Sequence, residues 1–186
     1  DGPIPLTEVL RDYQKAGFRW FQLLAKYKFG GILADDMGLG KTLQSIAFIE
    51  SVLPNVRARQ LPVLIVCPAA LLYNWKNELE KFTPHIKAVI IDGNKLKRST
   101  LWKTSLNTEV IITSYPTLRM DTELYQNRLF HTMFVDEAQA FKNPVTKTAK
   151  VVKLIKAEYR FALTGTPIEN ALDELWSIFH VVFPEL

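Results

Sequence analysis

Short apolar runs rich in β-branched residues alternate along this chain with longer stretches that carry apolar residues at helical spacing. The runs are Gly31–Ala34, Val63–Cys67, Ala88–Ile91, Val110–Thr113, Met133–Val135 and Arg160–Leu163. Most are continuous rather than alternating, the pattern of strands covered on both faces. Between them, Thr42–Leu53, Leu71–Phe82 and Thr146–Lys156 are long enough to hold crossover helices. This alternation predicts an α/β domain, a mainly parallel central sheet with helices on both faces. Right-handed crossovers then set the loops that follow the strands along one edge, where ligands of such sheets bind. Asn55–Pro62 (NVRARQLP) reads as a polar loop. With no repeat, low-complexity stretch or linker, residues 1–186 read as one domain.

Composition narrows the class. The 186 residues are 48% hydrophobic and 23% charged, which excludes disorder and allows a core that needs no disulfide or metal. No run of about eighteen apolar residues occurs, so no membrane span or membrane partner is expected. The start, Asp1-Gly2-Pro3-Ile4-Pro5, has no secretory pattern and no Met, as expected of a piece of a longer protein. The single cysteine, Cys67, cannot form an internal disulfide and fits a reducing compartment. His85, His131 and His180 lack metal-ligand spacing. The net charge of +4 is compatible with an anionic partner without requiring one.

Chemistry first becomes specific after the first run, at Asp35-Asp36-Met37-Gly38-Leu39-Gly40-Lys41-Thr42. A phosphate cradle needs glycines so that the backbone can curl and bring successive N–H groups onto an anion. It needs a lysine for the outer phosphates, a hydroxyl for Mg²⁺ and the positive end of a following helix. Gly38, Leu39, Gly40, Lys41 and Thr42 present these parts in order, between a strand and a helix. Asp35 stands where the full pattern has another glycine.

A second feature is the acidic pair Asp136-Glu137, which follows the apolar Thr132–Val135. A phosphate-loop enzyme needs one carboxylate for the metal and another to orient or deprotonate the attacking water. Adjacent carboxylates at a strand end can divide these tasks, Asp136 taking the metal and Glu137 the water. The plainer alternative is an acidic first turn of a helix.

Six segments together resemble, in order, the motifs of the Swi/Snf-type ATPases, the duplex-DNA translocases of helicase superfamily two. They are Leu10–Gln14 with Gly17 and Trp20; Asp35–Thr42; Leu64–Pro68 continuing through Leu71, Asn74, Trp75 and Glu78; Ile112–Arg119; Asp136–Pro144; and Leu163–Asn170 with Glu174-Leu175-Trp176. That family tolerates a non-glycine at the position of Asp35. Gln139 stands where many members have His, and Asp12 where many have Pro; both variants resemble bacterial members.

The resemblance implies a RecA-like P-loop NTPase fold and an N-terminal ATP-binding lobe spanning 1–186. ATP and Mg²⁺ are the implied ligands, held by Gln14 at the adenine edge, by Gly38–Thr42 at the phosphates, and by Thr42 and Asp136 at the metal. Lys41, Asp136, Glu137 and Gln139 are the implied catalytic set, with Thr164, Gly165 and Thr166 coupling nucleotide state to the acidic motif. Tyr13 can stack on the base or simply pack. Pro68, Ala69, Ser114, Tyr115 and Thr117 are candidate DNA-phosphate contacts, against which an ordinary Ser/Thr turn is the rival at 113–117. Lys147, Lys150, Lys153 and Lys156, beside Ala149, Val152 and Ile155, read as a solvated helix face, with a duplex-facing patch as the alternative. Lys95, Lys97, Arg98 and Lys103 are read the same way. Trp20, Trp75, Trp102 and Trp176 read as core, and Cys67 as a small buried hydrophobe.

The expected whole is a DNA-dependent ATPase that translocates on double-stranded DNA and remodels protein–DNA complexes. Its partners are duplex DNA, DNA-bound proteins and a second RecA-like lobe of the same polypeptide, absent from this chain. That lobe carries arginines worth about three to five orders of magnitude in rate, so the 186 residues alone are expected to turn over little. Expected localisation is cytoplasmic, nucleoid-associated if bacterial and nuclear if eukaryotic. The rivals are an RNA or single-strand helicase of the same superfamily, a non-enzymatic nucleotide-dependent module, and an unrelated P-loop ATPase.

Overall fold

A computed structural model of the chain describes residues 31–34, 39–143, 145–164 and 180–182, with the backbone alone at 31–34, 39, 139 and 142. Its elements run β1 (Gly31–Ala34), α1 (Leu39–Arg59), β2 (Val63–Cys67), α2 (Leu72–Phe82), β3 (Ala88–Ile91), α3 (Lys95–Thr104), β4 (Val110–Ser114), α4 (Tyr115–Met120), α5 (Thr122–Gln126), β5 (Leu129–Val135), α6 (Lys147–Leu154) and β6 (Lys156–Thr164). The six strands form one sheet in the order β1-β6-β5-β2-β4-β3, and every neighbouring pair is parallel.

Two apolar layers explain why the strands read as continuous runs. Val63, Ile65 and Cys67 face one side with Phe134, Phe161 and Leu163, beneath Phe48 and Ile49 of α1 and Trp75 and Leu79 of α2. Leu64 and Val66 face the other side with Met133, Val135 and Ala162, beneath Leu118 of α4, Tyr125 of α5 and Val152 of α6. Successive strand residues point to opposite faces, and both faces are covered.

Three sequence expectations change. Asn55–Pro62 is not a loop: α1 continues past Pro54 to Arg59. Tertiary contacts outweigh the polar composition there. Val56 is buried, Asn55 Oδ1 bonds His131 Nε2 at 3.0 Å, Arg57 pairs with Glu109, and Arg59 makes a two-pronged bond to Glu158. The helix stops where Gln60 adopts φ +54°. The Leu61 N–H then reaches back to the Val56 carbonyl at 3.3 Å, a left-handed cap followed by Pro62.

Ile155 and Lys156 lie outside α6, since that helix ends at Leu154 and Lys156 opens β6 opposite Leu129. The lysine stripe is therefore three residues on a helix, Lys147, Lys150 and Lys153, all exposed, and one on a strand. Finally, the segment after β4 is a helix rather than an open turn. Ser114 caps α4 by accepting from the Thr117 N–H at 3.3 Å. The basic segment 95–104 is also helical, capped by Asn94 through the Lys97 N–H at 2.8 Å. Arg98 is tied there to Asp121 at 2.8 and 3.2 Å, a structural bond.

Candidate nucleotide site

Strand order builds the site. β6 lies between β1 and β5, with Ala34 opposite Thr164 and Val135 opposite Ala162. The C-terminal ends of these strands therefore sit side by side, and the acidic pair leaves β5 at that edge. Buried Gly40, Lys41 and Thr42 lie in the first turn of α1 at the same place.

The centre of the cluster is Lys41. Its Nζ is 2.8 Å from Glu137 Oε1 and 3.2 Å from Asp136 Oδ1. Burial by itself would lower the Lys41 pKa, but its hydrogen bonds and charge attraction to Glu137 and Asp136 outweigh that and raise it. The side chain is thus an ammonium at neutral pH, a fixed positive charge where phosphates would sit. Ser45 Oγ donates to the Lys41 carbonyl at 2.7 Å, securing the first turn of the helix.

The two carboxylates occupy different environments. The Asp136 side chain is 3% exposed and that of Glu137 is 30% exposed. Asp136 Oδ1 accepts the Glu137 N–H at 2.8 Å, Oδ2 accepts the Trp75 indole N–H at 2.9 Å, and its own N–H extends the sheet to the Val66 carbonyl at 2.8 Å. The Tyr115 hydroxyl donates to the Asp136 carbonyl. Glu137 takes φ +53°, ψ +46°, a left-handed conformation that costs a non-glycine residue about 1 kcal/mol or more. That turn ends the strand and brings the Glu137 carboxylate back to Lys41. A buried, bonded Asp beside a partly open Glu suits the division between a metal-facing group and a water-facing one.

The structure places the other sequence candidates as follows. Thr164 is buried at the end of β6, and Gln139 lies in the short helical turn Ala138–Lys142. Gln14, Gly38, Gly165 and Thr166 lie outside the described residues, and of Leu39 only the backbone is described. Pro68 is half-buried and Ala69 exposed, in a turn that leaves β2 at the same edge. The candidate DNA contacts Ser114, Tyr115 and Thr117 all have buried side chains. Ser114 Oγ donates to Thr117 Oγ1 at 3.0 Å and Tyr115 to Asp136. Their hydroxyls bond protein, because the chain turns straight into a helix and carries them beneath it.

Two residues gain roles that sequence reasoning did not assign. Trp75 is core, as expected, yet it also donates to Asp136. Tyr115 stays protonated, since burial and then the Asp136 charge hold its pKa well above the usual phenol value. A buried Trp must find an acceptor for its N–H, and that was the available signal. Cys67 is held inert at the end of β2, its pKa pushed up to about 12 by burial and then by the Asp136 charge.

A cleft of about 430 Å³ at the opposite edge of the sheet includes Arg57, Lys87, Glu109 and Arg128. Its two arginines and Glu109 serve the fold. Arg57 pairs with Glu109, the Lys87 N–H donates to Glu109 at 2.8 Å, and Arg128 donates to Ser105 at 2.8 and 3.0 Å.

A parallel sheet with this lysine–carboxylate cluster at its C-terminal edge defines an α/β domain of the RecA-like, nucleotide-phosphate-binding class. The chain belongs to the SNF2-related domain family, whose model matches residues 13–186. It is similar, at 45% identity over 94% of its length, to an uncharacterised ATP-dependent helicase of Mycoplasma genitalium, and covers 17% of that protein. It is 40% identical over 98% of its length to the TATA-binding protein-associated factor MOT1 of Saccharomyces cerevisiae, covering 10% of it. Among solved structures, the Sulfolobus solfataricus SWI2/SNF2 ATPase core in complex with double-stranded DNA superposes with a TM-score of 0.82 at 43% identity. That match covers 95% of this chain and 36% of the neighbour.

Proposed function

We propose that this chain is the ATP-binding lobe of a DNA-dependent ATPase that translocates on double-stranded DNA and remodels protein–DNA complexes. The observation that carries the reading is the contact of one buried lysine, Lys41, with both members of an acidic pair at the ligand edge of a parallel sheet. Family membership and the DNA-bound Sulfolobus neighbour support the duplex as the track.

The donor set suits Mg²⁺ that arrives with nucleotide. Among the described residues no group of three or more His, Cys, Asp or Glu could hold a metal ion. Mg²⁺ characteristically takes one or two carboxylates and completes its shell with phosphate oxygens and water. A carboxylate has about four lone-pair sites. Lys41, the Glu137 N–H and the Trp75 N–H occupy Asp136 and leave a site on Oδ2. Asp136 and the Thr42 hydroxyl would hold the ion, which supplies charge neutralisation on the transferring phosphoryl group.

The chain's own residues do the rest. Lys41 transfers its ammonium from the carboxylates to phosphate oxygens. Glu137, released from that pair and partly open to solvent, orients and deprotonates the attacking water. Gln14 reads the adenine edge; Gln139 and Thr164–Thr166 couple nucleotide state to the acidic motif. The turn at half-buried Pro68 and exposed Ala69 offers N–H groups from Ala69 onward to DNA phosphates. A second RecA-like lobe of the same polypeptide contributes arginines to the transition state, and a lobe tested without it turns over little. The protein acts where the DNA is, in the cytoplasm at the nucleoid in a bacterium or in the nucleus in a eukaryote, on DNA-bound proteins.

The test compares ATP hydrolysis by the full-length protein with duplex DNA, single-stranded DNA and RNA. Greatest stimulation by duplex DNA is expected. A preference for RNA or single strands would move the protein to the strand-separating helicases.

A further inference from the structure

We propose that Trp75 is a positioning residue for Asp136, acting through its indole N–H, and that Tyr115 supports the same residue through its backbone carbonyl. The inference rests on the reading of Asp136 as the metal-facing carboxylate. Trp75 is fully buried and Asp136 is 2% exposed, so their 2.9 Å bond is shielded from water. In such surroundings a charge-assisted bond holds its geometry.

The arrangement leaves Asp136 little freedom. One carboxylate oxygen is held by the N–H of the next residue and the other by Trp75, which together define the plane of the group. Its N–H is bonded into β2 and its carbonyl is bonded by Tyr115. Trp75 and Tyr115 arrive from α2 and α4, the helices that follow β2 and β4. Each begins at the ligand edge, so side chains from two separate strand exits converge on one residue, Trp75 at its carboxylate and Tyr115 at its backbone carbonyl. Groups behind a metal-facing ligand fix its direction, and removing one characteristically weakens metal binding by about 10-fold or more.

The experiment removes the donor while keeping the shape. In the full-length protein, Trp75 is replaced by benzothienylalanine, whose ring has sulfur in place of the N–H, and separately Tyr115→Phe is made. The readouts are the Mg²⁺ concentration at half-saturation of ATP turnover, and that for Mg²⁺-dependent binding of a fluorescent ADP analogue. The expected result is an upward shift of both midpoints, about 10-fold for the Trp75 replacement and smaller for Tyr115→Phe. Nucleotide binding in EDTA should be unchanged.

A merely structural role would lower the thermal midpoint and leave the Mg²⁺ midpoints within about twofold, and that result overturns the proposal. Should the Trp75 replacement fail to fold, Tyr115→Phe decides by the same criterion. If turnover by the unmodified protein did not depend on Mg²⁺, the metal reading of Asp136 would itself fall. That outcome is distinct from an unshifted variant.

Discussion

Lys41 Nζ lies 2.8 Å from Glu137 Oε1, a contact between side chains 96 residues apart in sequence. The cation expected at the phosphates thus holds the carboxylate expected to act on water. On the proposed reading, nucleotide phosphate draws the ammonium toward itself and leaves Glu137 to act on water.

Glu137→Gln keeps the size and the hydrogen bond but removes the charge and the basicity. We expect ATP turnover by the full-length protein to fall by about 10²- to 10⁴-fold, the usual worth of a general base. Nucleotide affinity should stay within a few-fold. Equal losses of affinity and turnover, measured by fluorescent-nucleotide titration beside steady-state kinetics, would place Glu137 in binding instead.

Replacing Lys41 with Met should destabilise the fold as well as abolish phosphate binding. It leaves two adjacent carboxylates without their cation, one of them buried, and breaking a buried pair costs about 3–5 kcal/mol. The partial exposure of Glu137 puts the expectation near the lower end. Adding Asp136→Asn and Glu137→Gln should recover most of the loss. Urea denaturation of the single and triple variants checks this, and no recovery would mean the cost lay in packing.

His131 gives the fold a pH dependence. Burial lowers its pKa below the usual value of about 6.5, with Glu158 opposing and Arg59 adding slightly. The unfolded chain therefore binds its proton first as pH falls. Stability tied to this residue is complete above about pH 6.5 and is lost as pH drops from there toward the lowered folded value. The slope it adds is at most about 1.4 kcal/mol per pH unit. In His131→Gln that slope should flatten, as denaturant melts at a series of pH values would reveal.

Cys67 should resist alkylation in the native protein at pH 8 and react promptly in denaturant. Its thiol is fully buried and its pKa is pushed up to about 12, so the reactive thiolate is scarce. Equal labelling rates in both conditions, followed by mass spectrometry, would show that the end of β2 opens readily.

Much of the fold was legible because its signals are local. Val63–Cys67 and Val110–Thr113 are apolar on both faces, so their burial required no knowledge of neighbours. Gly40, Lys41, Thr42, Asp136 and Glu137 stood out because phosphate and metal chemistry restricts residue type at close spacing. Less legible were the ends of elements. Leu129-Phe130-His131 and Ala157-Glu158-Tyr159 lie outside the runs read as strands, and Lys156 ends a stretch read as helix, yet they belong to β5 and β6. Asn55, Arg57 and Arg59 looked like loop residues until their partners on distant strands were known.

By itself, then, the sequence determined a parallel α/β sheet, a Gly-Lys-Thr first turn of α1 with the residue types of a phosphate cradle, and an acidic strand exit. Each is written in a few consecutive residues whose spacing or chemistry admits little else. Only the tertiary structure decided which side chains serve that exit. Trp75 is 61 residues from Asp136, and Tyr115 is 21. They meet at it because β2 lies between β5 and β4 in the sheet. Strand order is set by the summed packing of both faces, a property of the whole chain rather than of any segment of it.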